Sequence, residues 1–391
     1  TQGLSIYLVT GQEGKRFPNQ MTMQKRTTAN KMMMFLALLL QAIVVIDGFA
    51  TIVPTTSFQR QHHRLDTPTT ASTLSNSKNI RCISATAAFA TKEEQLVLHS
   101  PCKINLFLRI LRKRPDNFHD LASLFQTVKF GDTLELSLLD SAATKDEFTC
   151  NMEGVPTDDS NLVIRALKLM REKTGKTDVF FKANLIKCVP AQAGLGGGSG
   201  NAATAMHGAN ELMGCPATQE QLVEWSGELG SDITFFLSRG SAYCTGRGEI
   251  MTPVEPLPAG TKLYIVKPDI GLSTPQVFGA LDYNALSTKD PEELLKRFLE
   301  NGVDAGGHDA YVNDLEQPAF DCLPELKALK EELVNVEGFQ HVMMSGSGTS
   351  IFCIGEPKDK EAFMKEFDER EGINVFPTEF INREEGVWFE S

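Results

Sequence analysis

Apolar positions in the body of the chain fall into short blocks whose period changes from block to block. Within residues 95–110, Ile104, Leu106, Leu108 and Ile110 alternate with Lys103, Asn105, Phe107 and Arg109, the period of a strand with one face inward. Ser100 and Pro101 divide this strand from a shorter one before it. Lys103 and Asn105 project together from the face opposite the aliphatic one, so Lys103 reads either as a solvated strand residue or as a functional group. After a glycine-rich stretch, Ala202, Met206, Ala209 and Met213 recur at spacings of four, three and four, which predicts an amphipathic helix. Thr218, with Gln221 three residues on, opens another helix in which Leu222, Trp225 and Leu229 share a face, and Gly230 ends it. Val342–Met344 and Ile351–Ile354 flank a Ser- and Gly-rich turn, a hairpin pattern. Residues Asp359–Glu371 read as a solvated helix. Pro253, Pro256, Pro258 and Gly260 punctuate the chain where one domain gives way to the next.

Upstream the pattern is of another kind. Met32–Ile46 is apolar except for Gln41 and follows Lys25, Arg26 and Lys31. That run is short for a membrane span, which needs about 20 residues, and suits the apolar region of a signal peptide, with Gly48, Phe49 and Ala50 as a cleavage context. Residues 51–90 hold thirteen Ser or Thr, four Lys or Arg and one acid, the composition of a transit peptide. Residues 1–92 carry a balance of +7 in a chain of net charge -12, which leaves -19 on the body. A disordered, bipartite targeting leader is therefore expected over 1–92. Its signal peptide covers about 23–50, with Met21 and Met23 as candidate starts, and its transit peptide about 51–90. This arrangement resembles the plastid leader of algae with secondary plastids and implies the plastid stroma as destination and targeting machinery as partner. An N-terminal anchor and stalk is the alternative.

The body, 41% hydrophobic and 23% charged over the whole chain, has the composition of a folded protein. Its acidity argues against nucleic acid or an anionic membrane as partner of the mature protein, because both demand dense Lys and Arg. Seven body cysteines with no CxxC spacing read as buried thiols of a reducing compartment rather than a disulfide framework.

Candidate chemistry concentrates in PAQAGLGGGSGN, residues 190–201. Gly194, Gly196, Gly197, Gly198 and Gly200 allow a backbone to approach a ligand closely, and the helix behind them offers unpaired N–H groups and a positive dipole end, which favour phosphate. The P-loop pattern is absent, since Met170 stands where its first Gly should precede Gly175–Thr177. The dinucleotide fingerprint fails at Ser199. Ser199 is placed to reach phosphate or a magnesium ion. Asp232, just before Phe235 and Phe236, reads either as a cap for a following helical turn or as a carboxylate that accepts a proton from a substrate hydroxyl.

Taken in order, SPCKINLFL, PAQAGLGGGSGNAA, GSDITFF and SGSGTSIF resemble the GHMP kinases, small-molecule kinases that hold ATP without a P-loop. RPDNFHDLASLFQTV, DSNLVIRA and KPDIGLSTPQVF resemble the branch acting on a cytidyl diphosphate sugar alcohol in non-mevalonate isoprenoid synthesis. The resemblance runs from about Leu96 to about Gly355. It implies an α+β fold of two domains, a ribosomal-protein-like one over 93–256 and a ferredoxin-like one over 257–391. It also implies ATP and Mg2+ as cofactors and phosphorylation of the 2-hydroxyl of the sugar alcohol. By the same resemblance, Lys103 and Asp232 form the catalytic pair. Pro190, Gly194, Leu195, Gly196, Gly197, Gly198, Ser199, Gly200 and Asn201 hold ATP. Asn105, Phe118, His119, Thr274, Phe278, Gly346, Ser347 and Gly348 hold the substrate, with Phe118 and Phe278 stacking on the base; the metal ligands stay unassigned. Departures are Phe118 for a usual Tyr, Gly200 for a second Ser, Ser231 for a small apolar residue and Thr234 for Pro. A homoserine or mevalonate type of GHMP kinase, and a non-catalytic binding protein of this fold, remain the alternatives.

Overall fold

A computed structural model describes residues 95–390; the leader expected over 1–92 lies outside the described residues. The two strands expected around Pro101 are one. β1 (Leu96–Lys113) runs through Pro101, pairing antiparallel with β2 (His119–Leu138) over nearly its full length, and the proline sits at a register shift, where a missing N–H disturbs the ladder least. β2 serves two further neighbours: β5 (Ser241–Gly246) along its first half and β4 (Phe181–Ile186) along its second. β3 (Glu147–Cys150) joins β4 in parallel and β6 (Ile250–Pro253) joins β5, which gives the order β3-β4-β2-β5-β6 with β1 on β2.

β7 (Lys262–Pro268), β8 (Phe339–Met344), β9 (Ile351–Gly355) and β10 (Ile373–Glu379) form a second sheet, antiparallel throughout, in the order β10-β7-β9-β8. Counted within this sheet the order is fourth, first, third, second, the ferredoxin-like arrangement. The hairpin expected around Ser345–Ser350 is β8–β9. Pro377 is tolerated because β10 is an edge strand.

Helices α1 (Leu162–Thr174), α2 (Gly197–Leu212), α3 (Gln219–Ser226) and α4 (Ile233–Phe236) cover the first sheet over a core that includes Leu134, Leu136, Leu167, Met206 and Phe235. Of the remaining helices, α5 (Thr274–Gly279), α6 (Pro291–Asn301), α7 (Glu316–Cys322), α8 (Pro324–Val334) and α9 (Lys360–Asp368), all but α6 cover a second core with Tyr264, Val266, Leu329 and Phe363, while α6 turns Leu294 and Phe298 into a third. The third cluster joins Phe107 of β1 to Ile265, Phe298 and Phe352. β1 is therefore buried on both faces, and Lys103 is 4% exposed. The solvated-strand reading of Lys103 does not hold, because Phe125 of β2, Gly196 of the glycine loop and Asp232 close around its side chain.

Three smaller expectations change. α3 has the predicted reciprocal cap between Thr218 and Gln221 but stops at Ser226, short of Leu229. Ser226 Oγ donates to the Val223 carbonyl at 2.7 Å and lies 2.9 Å from Thr234 Oγ1, a side-chain alternative to continued helix. α9 is solvated on one face only, since Phe363 and Phe367 are buried. Of the cysteines, Cys102, Cys244 and Cys353 are buried thiols, whereas Cys188 and Cys322 are exposed.

Candidate active site

A cleft of about 1050 Å³ is lined by residues of both sheets and their connections, and every residue singled out above lies on it except Gly200. Gly194, with φ +74°, comes so close to the β8–β9 turn that a Cβ would stand 2.1 Å from the Ser345 carbonyl oxygen. Ser345 Oγ donates to the Gly194 carbonyl at 3.0 Å, and the Ser350 N–H to the Ala193 carbonyl at 3.3 Å. The two glycine segments are thus docked on each other across the cleft floor. Leu195 accepts a bond from the Lys103 N–H at 2.9 Å, which ties the first segment to β1. α2 starts at Gly197 behind left-handed Gly196, five residues before its first stripe residue, Ala202. Its unpaired N–H groups sit among Gly196, Gly197, Gly198 and Ser199 on the cleft.

Gly200 and Asn201 seat this helix. A Cβ at 200 would meet the Pro101 carbonyl at 2.5 Å, which accounts for the glycine where a second Ser was expected. The Asn201 amide donates to Ser100 Oγ and Asp132 Oδ2 at 2.8 Å each and accepts from Lys187 Nζ at 3.2 Å. Lys187 pairs with buried Asp132 at 2.5 Å and lines the cleft. Nothing in the local pattern marked Lys187 or Asp132, because their meeting depends on two strands pairing.

Lys103 Nζ stands 3.8 Å from Asp232 Oδ2; the lysine side chain is 5% exposed and the aspartate 37%. Asp232 makes no side-chain cap to α4, so the capping reading fails and the carboxylate is left to the cleft. Lys103 Nζ also donates to Asn105 Oδ1 at 2.8 Å and lies 4.8 Å from the centre of the Phe125 ring. Asn105 in turn donates to Ser123 Oγ at 2.8 Å, and Ser123 to the Phe107 carbonyl at 2.6 Å. Asn105, expected to contact substrate, lines the cleft, and its amide links the Lys103 ammonium to Ser123. Burial pushes the Lys103 pKa below the ordinary lysine range, and Asp232 opposes that shift. Thr234, where Pro was expected, binds α4 to α3 through Ser226.

At the other end Phe118 is 55% exposed, and the Arg247 guanidinium lies 5.2 Å from its ring centre. The His119 ring is 4.7 Å from that of Phe278, and His119 Nε2 is 2.7 Å from Tyr283 Oη. Desolvation lowers the His119 pKa, with Lys113 adding to the effect, which favours the neutral imidazole. Thr274 Oγ1 lies 3.0 Å from Ser347 Oγ, and Gly346 is beside Asn105. Arg247 and Tyr283 escaped the sequence reading, for an Arg in a turn and a Tyr after a short helix carry no local signature.

The cleft therefore runs from an aromatic and imidazole end, past paired hydroxyls, to an ammonium and a carboxylate beside a helix N-terminus. Such a set can seat a flat heterocycle, a polyanion and a reacting hydroxyl in line. Its electrostatics suit phosphoryl transfer, which depends on position and charge neutralisation more than on covalent chemistry.

Comparison with known proteins agrees. The family described as GHMP kinases N terminal domain matches residues 161–240, and GHMP kinases C terminal matches 285–371. The chloroplastic 4-diphosphocytidyl-2-C-methyl-D-erythritol kinase of Oryza sativa subsp. japonica is 51% identical over 75% of this chain and 73% of its own length. A crystal structure of 4-(cytidine 5'-diphospho)-2C-methyl-D-erythritol kinase superposes with a TM-score of 0.62 at 28% identity, covering 73% of this chain and all of that one. Homoserine kinase from Cytophaga hutchinsonii shares the fold, with a TM-score of 0.59 over 76% of this chain and 98% of its own, but only 17% identity. Cleft, fold and relatives place the chain in the GHMP kinases, as a member of the 4-diphosphocytidyl-2-C-methyl-D-erythritol kinase family that serves isoprenoid biosynthesis.

Proposed function

We propose that the chain transfers a phosphoryl group from ATP to the 2-hydroxyl of 4-diphosphocytidyl-2-C-methyl-D-erythritol, in the non-mevalonate route, with Asp232 as base and Lys103 as the charge that steadies the incipient alkoxide and the moving group. The observation that carries this reading is the buried ammonium opposite a part-exposed carboxylate, 3.8 Å apart, at the foot of the glycine loop. Phe118 and Phe278 flank the cytosine, His119 bonds its edge and Arg247 backs Phe118. The diphosphate lies between the two ends of the substrate, where Thr274, Ser347 and the 346–348 turn meet it. Residues 190–201 take the ATP phosphates, Gly194 to Ser199 by contact and Gly200 and Asn201 by seating the helix. The kinase machinery then divides as 93–256 and 257–391.

Mg2+ would supply further neutralisation of phosphate charge. The Asp232 carboxylate and the Ser199 hydroxyl are hard oxygen donors on the cleft, and an ion held by one or two protein oxygens together with nucleotide phosphates fits them. Asp232 would then share its charge between the ion and the hydroxyl proton.

The direct test offers the purified protein Mg-ATP with the cytidyl substrate, homoserine and mevalonate in parallel. Phosphorylation confined to the cytidyl substrate is expected. Turnover of either small acid in its place, or nucleotide binding without transfer to any of the three, would overturn the reading.

For residues 1–92 the proposal is import into the plastid stroma through a bipartite leader, supported by their composition and by the chloroplastic names of plant relatives. A fluorescent reporter fused behind residues 21–92 should settle in the plastid of an alga with secondary plastids; retention in the cytosol or the secretory membranes would refute it.

A further inference from the structure

Residues 311–316, just before and into α7, reach the cleft only through Leu315, yet their polar side chains hold two of its walls. Asp314 accepts from Arg109 Nε at 2.9 Å, the Ile110 N–H at 2.7 Å and the Ser287 N–H at 3.0 Å. Backbone bonds from the Leu108 N–H to Val312 and from the Asp314 N–H to Leu108 lash the segment to β1. Asn313, 7% exposed, turns the other way. Its Nδ2 donates to the Met344 and Gly346 carbonyls at 2.8 Å each, and its Oδ1 accepts from the Leu315 N–H at 2.9 Å. Glu316 Oε1 accepts from the Met344 N–H at 2.9 Å, and both its oxygens are held by Lys330. Every polar atom of the Asn313 side chain is thus directed at backbone, most of it in or beside the glycine turn.

We propose that Asn313 is a positioning residue: by holding the Gly346 carbonyl it fixes the direction of the 346–347 peptide, so that the Ser347 N–H is presented to the diphosphate of the substrate. A trans peptide is planar, with its C=O and N–H pointing opposite ways. A carbonyl drawn toward Asn313, which is off the cleft, turns the following N–H toward the side that Gly346, Ser347 and Gly348 line. Without that anchor, glycine at 346 and 348, both at positive φ, lets the peptide turn over and bring a carbonyl oxygen against the anion. The proposal rests on the cytidyl diphosphate reading given above. It adds a residue that touches neither nucleotide nor sugar, linked to the strand of Lys103 through its neighbour Asp314.

The test is calorimetric titration of the whole protein with CDP and, separately, with cytidine, which lacks the diphosphate. Asn313→Ala should weaken CDP binding about tenfold, the usual effect of leaving a buried group without its hydrogen-bond partner, while cytidine affinity moves less than about twofold. Equal weakening for both ligands would show a merely structural role and overturn the proposal, as would unchanged CDP affinity. If Asn313→Ala fails to fold, Glu316→Ala removes the acceptor of the Met344 N–H from the same turn and should give a smaller split in the same sense; no split overturns the proposal. Failure of the native protein to bind either ligand would instead refute the cytidyl reading on which the proposal stands.

Discussion

Asp232→Asn is expected to lower kcat by roughly 10²- to 10⁴-fold, the usual contribution of a positioned general base, while KM for ATP and for the cytidyl substrate stays within about threefold. The substitution keeps the shape of the side chain and removes only its charge and basicity. Asp232 caps no helix and is 37% exposed, so what the fold loses is the counter-charge of Lys103, whose ammonium keeps its hydrogen bond to Asn105. Steady-state kinetics with both substrates, alongside a thermal melt, decide the matter. Turnover near the native value would remove Asp232 from the mechanism, and a large fall in the melting temperature would mean that the carboxylate serves the fold instead.

Lys103→Met should follow with a loss of about 10²- to 10³-fold in kcat, the range seen when one preorganised electrostatic contact to the transition state is lost. Methionine preserves the apolar stem beside Gly196 and Phe125. The sharper check is pH. Burial depresses the Lys103 pKa below its ordinary 10.5, and Asp232 partly restores it. The charged, active form is present at low pH and is lost as pH rises through the lowered value. The alkaline limb of kcat/KM in the native protein should therefore lie below pH 10.5. In Asp232→Asn the restoring charge is gone, so the limb of the residual activity should shift further toward neutral pH. An unmoved limb in that variant would show that another group sets it.

The glycine loop and the helix behind it were legible because their signals are contiguous. Five glycines followed by a stripe at helical spacing need no knowledge of the rest of the molecule. The alternation around Lys103 likewise put Lys103 and Asn105 on one face. It did not disclose that this face is buried, since Phe125, Gly196 and Asp232, which close around Lys103, belong to other elements that only the fold brings to the strand. Asp232 was ambiguous for a related reason. A carboxylate before a helical turn is a good cap, and only the arrival of Lys103 from β1 shows that its oxygens are engaged elsewhere. Tyr283, Arg247, Lys187 and Asn313 stayed hidden because each gains its role from contacts across the fold. Gly200 differs from its neighbours: it belongs to the glycine run beside the cleft, yet its missing side chain is explained by the closeness of helix to strand. The exposed thiols Cys188 and Cys322 missed expectation because one follows a strand and the other ends a helix on its solvent side, where no apolar run signals burial.

The Arg109–Asp314 pair has a consequence for how the chain acquires its shape. The partners are 205 residues apart, and both side chains are almost fully shielded from water. Until Asp314 has joined β1, the Arg109 guanidinium has to stay in water, because burying it uncompensated costs about 3–5 kcal/mol. The Arg109 end of β1 therefore reaches its final packing only when the C-terminal half has arrived. Under the plastid import proposed above, that delay leaves this end of the strand open until nearly all of the chain has been delivered.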